Sequence, residues 1–139
     1  MNIGLYTITS PLHNQEAVEA ASAGFIKEIE NELDCRFDIK GADFGTYGQH
    51  DLDVIYVRTG GTEGIFKEVF PLLKGNIVLL TSGKSNSLAA SMEILSYLNR
   101  QGRRGEIIHG SITYIADRLR TLARVVSAAK RLGGSNLGV

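Results

Sequence analysis

The feature that most constrains this chain is the stretch Asn76 to Ser87 with the helix behind it. There the apolar run Ile77-Val78-Leu79-Leu80 breaks into the polar loop Thr81-Ser82-Gly83-Lys84-Ser85-Asn86-Ser87, and a periodic segment opens at Leu88. An uninterrupted apolar run bounded by turn residues reads as a strand buried on both faces, the habit of parallel sheets. Parallel strands need crossovers, and a helix supplies one. The same unit recurs along the chain, which restricts the fold to an α/β class.

Asn2 to Ile8 is the first such strand, ending in Thr9-Ser10-Pro11-Leu12-His13-Asn14, where proline blocks its continuation. A helix is predicted from Gln15, capped by Asn14, with Ala17, Ala21, Phe25, Ile29 and Leu33 on one face and Glu28, Glu30 and Glu32 in its exposed later turns. Cys35 to Ile39 alternates as an edge strand does. Gly41 to Asp51 reads as a loop with at most one helical turn. Asp53 to Val57 is the third strand, followed by the turn Thr59-Gly60-Gly61-Thr62-Glu63 and a short helix ending near Pro71. After the strand Asn76–Thr81, a long helix extends to about Gln101, with Leu88, Met92, Leu95, Tyr97 and Leu98 as its apolar face and Gly102 as its stop. Glu106 to His109 gives a fifth strand. Ser111 caps a last helix reaching Leu132, with Ile115, Leu119, Leu122 and Val126 inward.

Five strands joined by right-handed crossovers leave few arrangements. The expected one is a three-layer α/β/α sandwich, a flavodoxin-like five-stranded parallel sheet of order 2-1-3-4-5, with its switch point between the first and third strands. Ligands of such sheets gather at the carboxyl ends of the strands at that point. His13, Asn14 and Gln15 are therefore expected to face Gly60, Gly61 and Thr62 across a crevice, flanked by the Ser82 to Ser87 turn, with Glu63, Asn86 and Ser87 also candidate substrate-binding residues. The Gly-Gly turn allows close backbone approach, Thr62 is a candidate cap, and a helix start at Asn86-Ser87 presents free amides to a hydroxyl-rich ligand.

Several chemistries fail on spacing. Gly83-Lys84-Ser85 resembles the end of a phosphate-binding loop, but the glycine required five positions earlier is Val78. The loop after the first strand has no glycine, so dinucleotide and flavin fingerprints are missing. A phosphoacceptor receiver needs acidic residues where this chain has Thr7-Ile8-Thr9 and Val57-Arg58-Thr59. His50 and His109 lack metal-ligand spacing, so no metal site is expected in this chain. Glu63 is the only acidic residue in the candidate turns, which leaves paired-carboxylate catalysis without a second partner in the sequence pattern.

Charge divides unevenly. Residues 1–83 carry six Lys/Arg against twelve Asp/Glu and residues 84–139 nine against three, giving halves of −6 and +6. That is not the basic stripe of a nucleic-acid binder, although two such halves suit contact between copies in a homo-oligomer. Arg100, Arg103 and Arg104 stand where a helix dipole favours cations. The lone Cys35 cannot form an internal disulfide. No apolar run approaches the roughly 20 residues of a membrane span, and no secretory signal pattern opens the chain, so the expected setting is cytoplasmic and away from the bilayer.

Ser85-Asn86-Ser87-Leu88-Ala89-Ala90-Ser91-Met92-Glu93-Ile94-Leu95, preceded by a buried strand and followed by Gly102, a short strand and His109-Gly110, resembles the amino-terminal region of the L-fucose and L-arabinose isomerase superfamily. The Gly60-Gly61-Thr62-Glu63 turn is similar to that family's preceding strand end. The Gly-rich break before Leu137-Gly138-Val139 resembles its junction with a second domain. On that resemblance residues 1–133 form one α/β domain and 134–139 begin a linker or strand into another. The resemblance implies an aldose-ketose isomerase that moves a proton between adjacent carbons through an enediol. Its carboxylates and divalent metal, usually Mn2+, lie in later domains. The present domain would help close a sugar pocket or assemble the oligomer, and would be inactive alone. His13, Asn14, Gln15, Gly61, Thr62, Asn86 and Ser87 would then be hydrogen-bonding groups offered to the sugar, not catalysts. The alternative is a stand-alone, non-catalytic binding module for a sugar or sugar phosphate.

Overall fold

The computed structural model describes residues 2–11 and 15–134. Five strands, β1 (Ile3–Ile8), β2 (Asp38–Gly41), β3 (Leu52–Val57), β4 (Ile77–Leu80) and β5 (Gly105–Ile108), form one sheet of order β2-β1-β3-β4-β5. Every pairing is parallel. This is the flavodoxin-like arrangement expected from the sequence. The central pair runs in unbroken register from Ile3 opposite Leu52 to Ile8 opposite Val57. The β1–β2 edge carries an irregularity between Leu5 and Tyr6.

Alternation along the strands divides the core into two layers. Ile3, Leu5, Val54, Tyr56, Val78, Leu80 and Ile108 face helices α1 (Gln15–Leu33) and α4 (Ile112–Gly134). Tyr6, Ile8, Ile55, Val57, Ile77 and Leu79 face α2 (Glu63–Val69) and α3 (Ser87–Arg100). Strands β3 and β4 have no solvated side, which is why they read as continuous apolar runs. A single helical turn, Phe44–Thr46, sits inside the Gly-rich loop. It is capped by the Asp43 carboxylate accepting from the Gly45 amide at 3.0 Å, and it drives Phe44 onto the Tyr6 ring. Among the described residues no helix is long and apolar enough to cross a membrane.

Three expectations are corrected. The second strand begins at Asp38, not Cys35. Helix α1 ends with Asp34 in the left-handed region, and the Glu30 carboxylate accepts from the Phe37 amide at 2.8 Å, so residues 35–37 are spent returning the chain from helix to sheet. Phe37 is buried, but Ile39 faces outward at 62% exposure. In α3 the buried line is Ser87, Ala90, Ser91, Ile94 and Leu98, and Met92 is 58% exposed. The helix packs through its small residues, because Ser91 returns its hydroxyl to the Ser87 carbonyl at 2.8 Å and needs no solvent. In α1 the four-residue spacing holds for Phe25, Ile29 and Leu33, whereas Ala17 and Ala21 are exposed, and Ser22 and Ile26 face inward.

Ser111 caps α4 as predicted, its hydroxyl accepting from the Tyr114 amide at 3.1 Å. Ile115 and Leu119 are fully buried, and Leu122 and Val126 pack beside them. The helix extends to Gly134. Residues 135–139, where the sequence suggests a following strand, lie outside the described residues.

Candidate functional site

At the carboxyl edge of the sheet the β1, β3 and β4 turns are tied to one another by buried hydrogen bonds. The Ser10 amide donates to the Thr59 hydroxyl at 2.9 Å, and that hydroxyl donates to the Gly60 carbonyl at 3.0 Å. Thr59 is completely buried, so it fixes the β1 turn against the β3 turn. The Gly60 amide donates to the Ser85 carbonyl at 2.7 Å, joining the β3 turn to the β4 turn. A side chain at Gly60 would place its Cβ 3.0 Å from Asn86 Cβ, and Gly61 takes a positive φ of 72°. The adjacent glycines thus serve two needs, a close approach and a left-handed bend.

The β4 turn is held from beneath. Thr81 and Ser87, both fully buried, share a hydrogen bond of 2.6 Å, and the Thr81 oxygen accepts from the Gly83 amide at 3.0 Å. Ser85 and Asn86 are both left-handed, with φ of 56° and 61°. Such conformations cost non-glycine residues roughly 1–2 kcal/mol each, less for Asn. The surrounding bonds hold the strained turn in place, and its backbone starts α3.

Between these turns lies a crevice of about 260 Å³ lined by Ser10, Gly60, Gly61, Asn86, Ala89, Ala90 and Glu93. It sits at the β1/β3 switch point. Gly60, Gly61 and Asn86 are therefore brought together as the sequence suggests. Thr62 and Ser87 are not offered to a ligand, since both are fully buried. Thr62 donates to the Thr59 carbonyl at 3.2 Å and makes no side-chain cap to α2, so its expected capping role is replaced by a turn-closing one. Asn86 likewise occupies the α3 cap position without a side-chain cap bond, which leaves its amide exposed at the crevice. His13 and Asn14 lie outside the described residues. Gln15 opens α1, its side chain outside the description.

Glu63 stands beside the crevice, ion-paired with Lys67 at 3.3 Å. Its carboxyl is held below the usual range, first by a proton shared with the neighbouring Glu93 carboxyl and then by Lys67. The structure thus supplies the second carboxylate that sequence spacing does not show. The sequence does not single out Ser10, but helical spacing does point to Glu93. Asn86, Ala90 and Glu93 lie four and three residues apart and so share one helix face.

A larger cavity of about 540 Å³ opens on the other side of the β4 turn, under the first half of α1. Arg58, Tyr56, Ser82, Lys84 and Ser85 form its sheet-side wall. The Tyr56 hydroxyl bonds with Ser22 and Ser82, and burial pushes its pKa up, keeping it a neutral donor.

The opposite edge of the sheet carries a different polar group. His50, 5% exposed, lies between Asp53, 2.8 Å from Nδ1, and Asp38, 2.8 Å from Nε2, binding the starts of β2 and β3. Gly4 leaves the space, for a Cβ there would fall 2.5 Å from the ring. Among the described residues no three His, Cys, Asp or Glu side chains form a group able to hold a metal ion. The residues described here therefore do not fit the divalent-metal centre that the resemblance implies for an entire isomerase.

Comparison of the chain with protein-family models, with curated proteins and with solved structures finds no match.

Proposed function

We propose that this chain is the amino-terminal α/β domain of an aldose-ketose isomerase of the L-fucose/L-arabinose type, and that its switch-point crevice forms one wall of a sugar pocket. The observation that supports this most is the crevice itself. Its lining of Gly60, Gly61, Asn86 and Glu93 offers main-chain groups, an amide and a carboxylate within a small concavity, with Ser10 buried behind them. Sugars are recognised through such donors and acceptors held on a rigid frame. In this reading Asn86 and the two glycines orient hydroxyl groups, Glu93 accepts from one, and Glu63 keeps Glu93 in place. The metal and the proton-moving carboxylates belong to later domains, so this domain binds and encloses without turning over.

Two measurements test the reading. Titration calorimetry with L-fucose and L-arabinose should show binding that Asn86→Gly weakens. That variant removes the amide but suits the left-handed backbone, so stability should change by no more than about 1 kcal/mol. Unchanged binding in a folded variant would remove Asn86 from the pocket. Sequencing the gene past Val139 tests the isomerase half. An in-frame continuation with Glu, Asp and His ligands is expected, and an immediate stop codon would overturn it in favour of a stand-alone sugar-binding module.

A further inference from the structure

We propose that the cavity under α1 is a second site, which takes the oxyanion of a small polyol, either a phosphate monoester or a carboxylate. Its position is independent of the sugar crevice. Ser85 lines the one and Asn86 the other, and the Gly60–Ser85 hydrogen bond stands between them.

Three observations converge on an anion. The Arg58 side chain is 8% exposed, and its Nε is buried without a hydrogen-bond partner among the described residues. One terminal nitrogen donates to Glu19 at 2.7 Å, but that carboxylate is 66% exposed and compensates a buried guanidinium incompletely. Lys84 adds a second cation to the same wall, and Ser82 and Ser85 add hydroxyls beside the neutral Tyr56 phenol. A planar guanidinium in this wall, ion-paired among the described residues with a largely exposed carboxylate, is suited to carboxylate or phosphate oxygens.

The helix wall is built to leave room. Ala17, Ala20, Ala21 and Gly24 face a space of about 540 Å³, while the later turns of the same helix fill the core with Ile26, Ile29 and Leu33. That volume lies within the range of small-molecule pockets, roughly 300–1,000 Å³. Glu28 also lines the cavity, so a bound anion sits toward the sheet-side cations.

The test is a 15N–1H NMR titration of the chain at fixed ionic strength with glucose 6-phosphate, gluconate and glucose. The amides of Ser22, Ser82 and Lys84 should move with one or both anions and stay still with glucose. Movement with glucose 6-phosphate alone assigns a phosphoryl site, with gluconate alone a carboxylate site, and with both a general oxyanion site. Affinity should fall about five- to tenfold in Arg58→Gln and in Lys84→Ala, as charge-assisted hydrogen bonds are lost, and should be unchanged in Lys67→Ala, which lies outside the cavity. Lys84 is exposed, so it carries the test if Arg58→Gln does not fold. No movement of these amides with either anion, or affinity unaltered in Lys84→Ala, would overturn the proposal. Neutral sugars are read at Gly60 and Gly61 instead, so failure at one site is distinguishable from failure at the other.

Discussion

Thr81→Val is the most informative perturbation of the scaffold. The replacement is nearly the same shape, so the cost comes from polar groups and not from packing. Two bonds are lost, the 2.6 Å contact with Ser87 and the 3.0 Å bond from the Gly83 amide. Gly83 is exposed, so water can replace its partner. Ser87 is completely buried, and its hydroxyl is left without a partner. An unsatisfied buried group costs about 1–3 kcal/mol, and that term sets the expected loss. Ser87→Ala should cost less, about 1 kcal/mol, because it leaves only Thr81, which keeps the Gly83 amide. The double variant Thr81→Val/Ser87→Ala then removes both partners, and its loss should fall short of the sum of the singles by about 0.5–2 kcal/mol. Urea unfolding followed by circular dichroism measures all three, with an unchanged slope expected. Additive losses, or a Thr81→Val variant within about 0.3 kcal/mol of the parent, would refute the claim that this pair holds the β4 turn.

Other expectations follow from single residues. Phe66 is fully buried between sheet and α3, so Phe66→Ala should cost about 3–5 kcal/mol in the same unfolding assay. Gly4→Ala should also destabilise strongly, since its Cβ would fall 2.5 Å from His50, and Gly4→Ala/His50→Ala should recover part of the loss. Asp38 has a carboxyl held below its ordinary 3.8, first by its hydrogen bond to His50 and then by Lys40. A depressed folded value means that its stabilisation is present above 3.8 and is lost as pH falls through the lower folded value. Asp38→Asn should therefore flatten the stability profile below pH 4, as acid titration of unfolding would show. Arg118 and Glu106 pair at 2.5 and 2.7 Å but remain about one-third exposed, so Arg118→Ala should cost no more than about 1 kcal/mol.

The sheet order was legible because each buried strand carries its own apolar run and each crossover its own turn. Val54 to Val57 and Ile77 to Leu80 could not alternate, being covered on both faces, and that declared a parallel sheet. Cys35, Phe37 and Ile39 alternate as a strand does, yet β2 begins three residues later, at Asp38, because the Glu30 side chain that holds residues 35–37 in the turn lies on the preceding helix. Gly60 and Gly61 advertised a close approach. Their neighbours Thr62 and Ser87 looked equally available, because a hydroxyl in sequence does not reveal whether its partner is solvent or a buried carbonyl. Glu93 and Arg58 are hidden in the sequence for a related reason. One sits two turns into a helix and the other at a strand end, and only tertiary packing brings them to the crevice and the cavity.

Whether the switch-point crevice holds a neutral sugar, as proposed, is read by a 15N–1H NMR titration of the chain with L-fucose and L-arabinose. Saturable shifts of the Gly60, Gly61 and Ala89 amides are expected, needing more sugar to saturate in Asn86→Gly, with Ser22 and Lys84 unmoved. Saturable shifts elsewhere with Gly60, Gly61 and Ala89 still, or no shifts with either sugar, would contradict it.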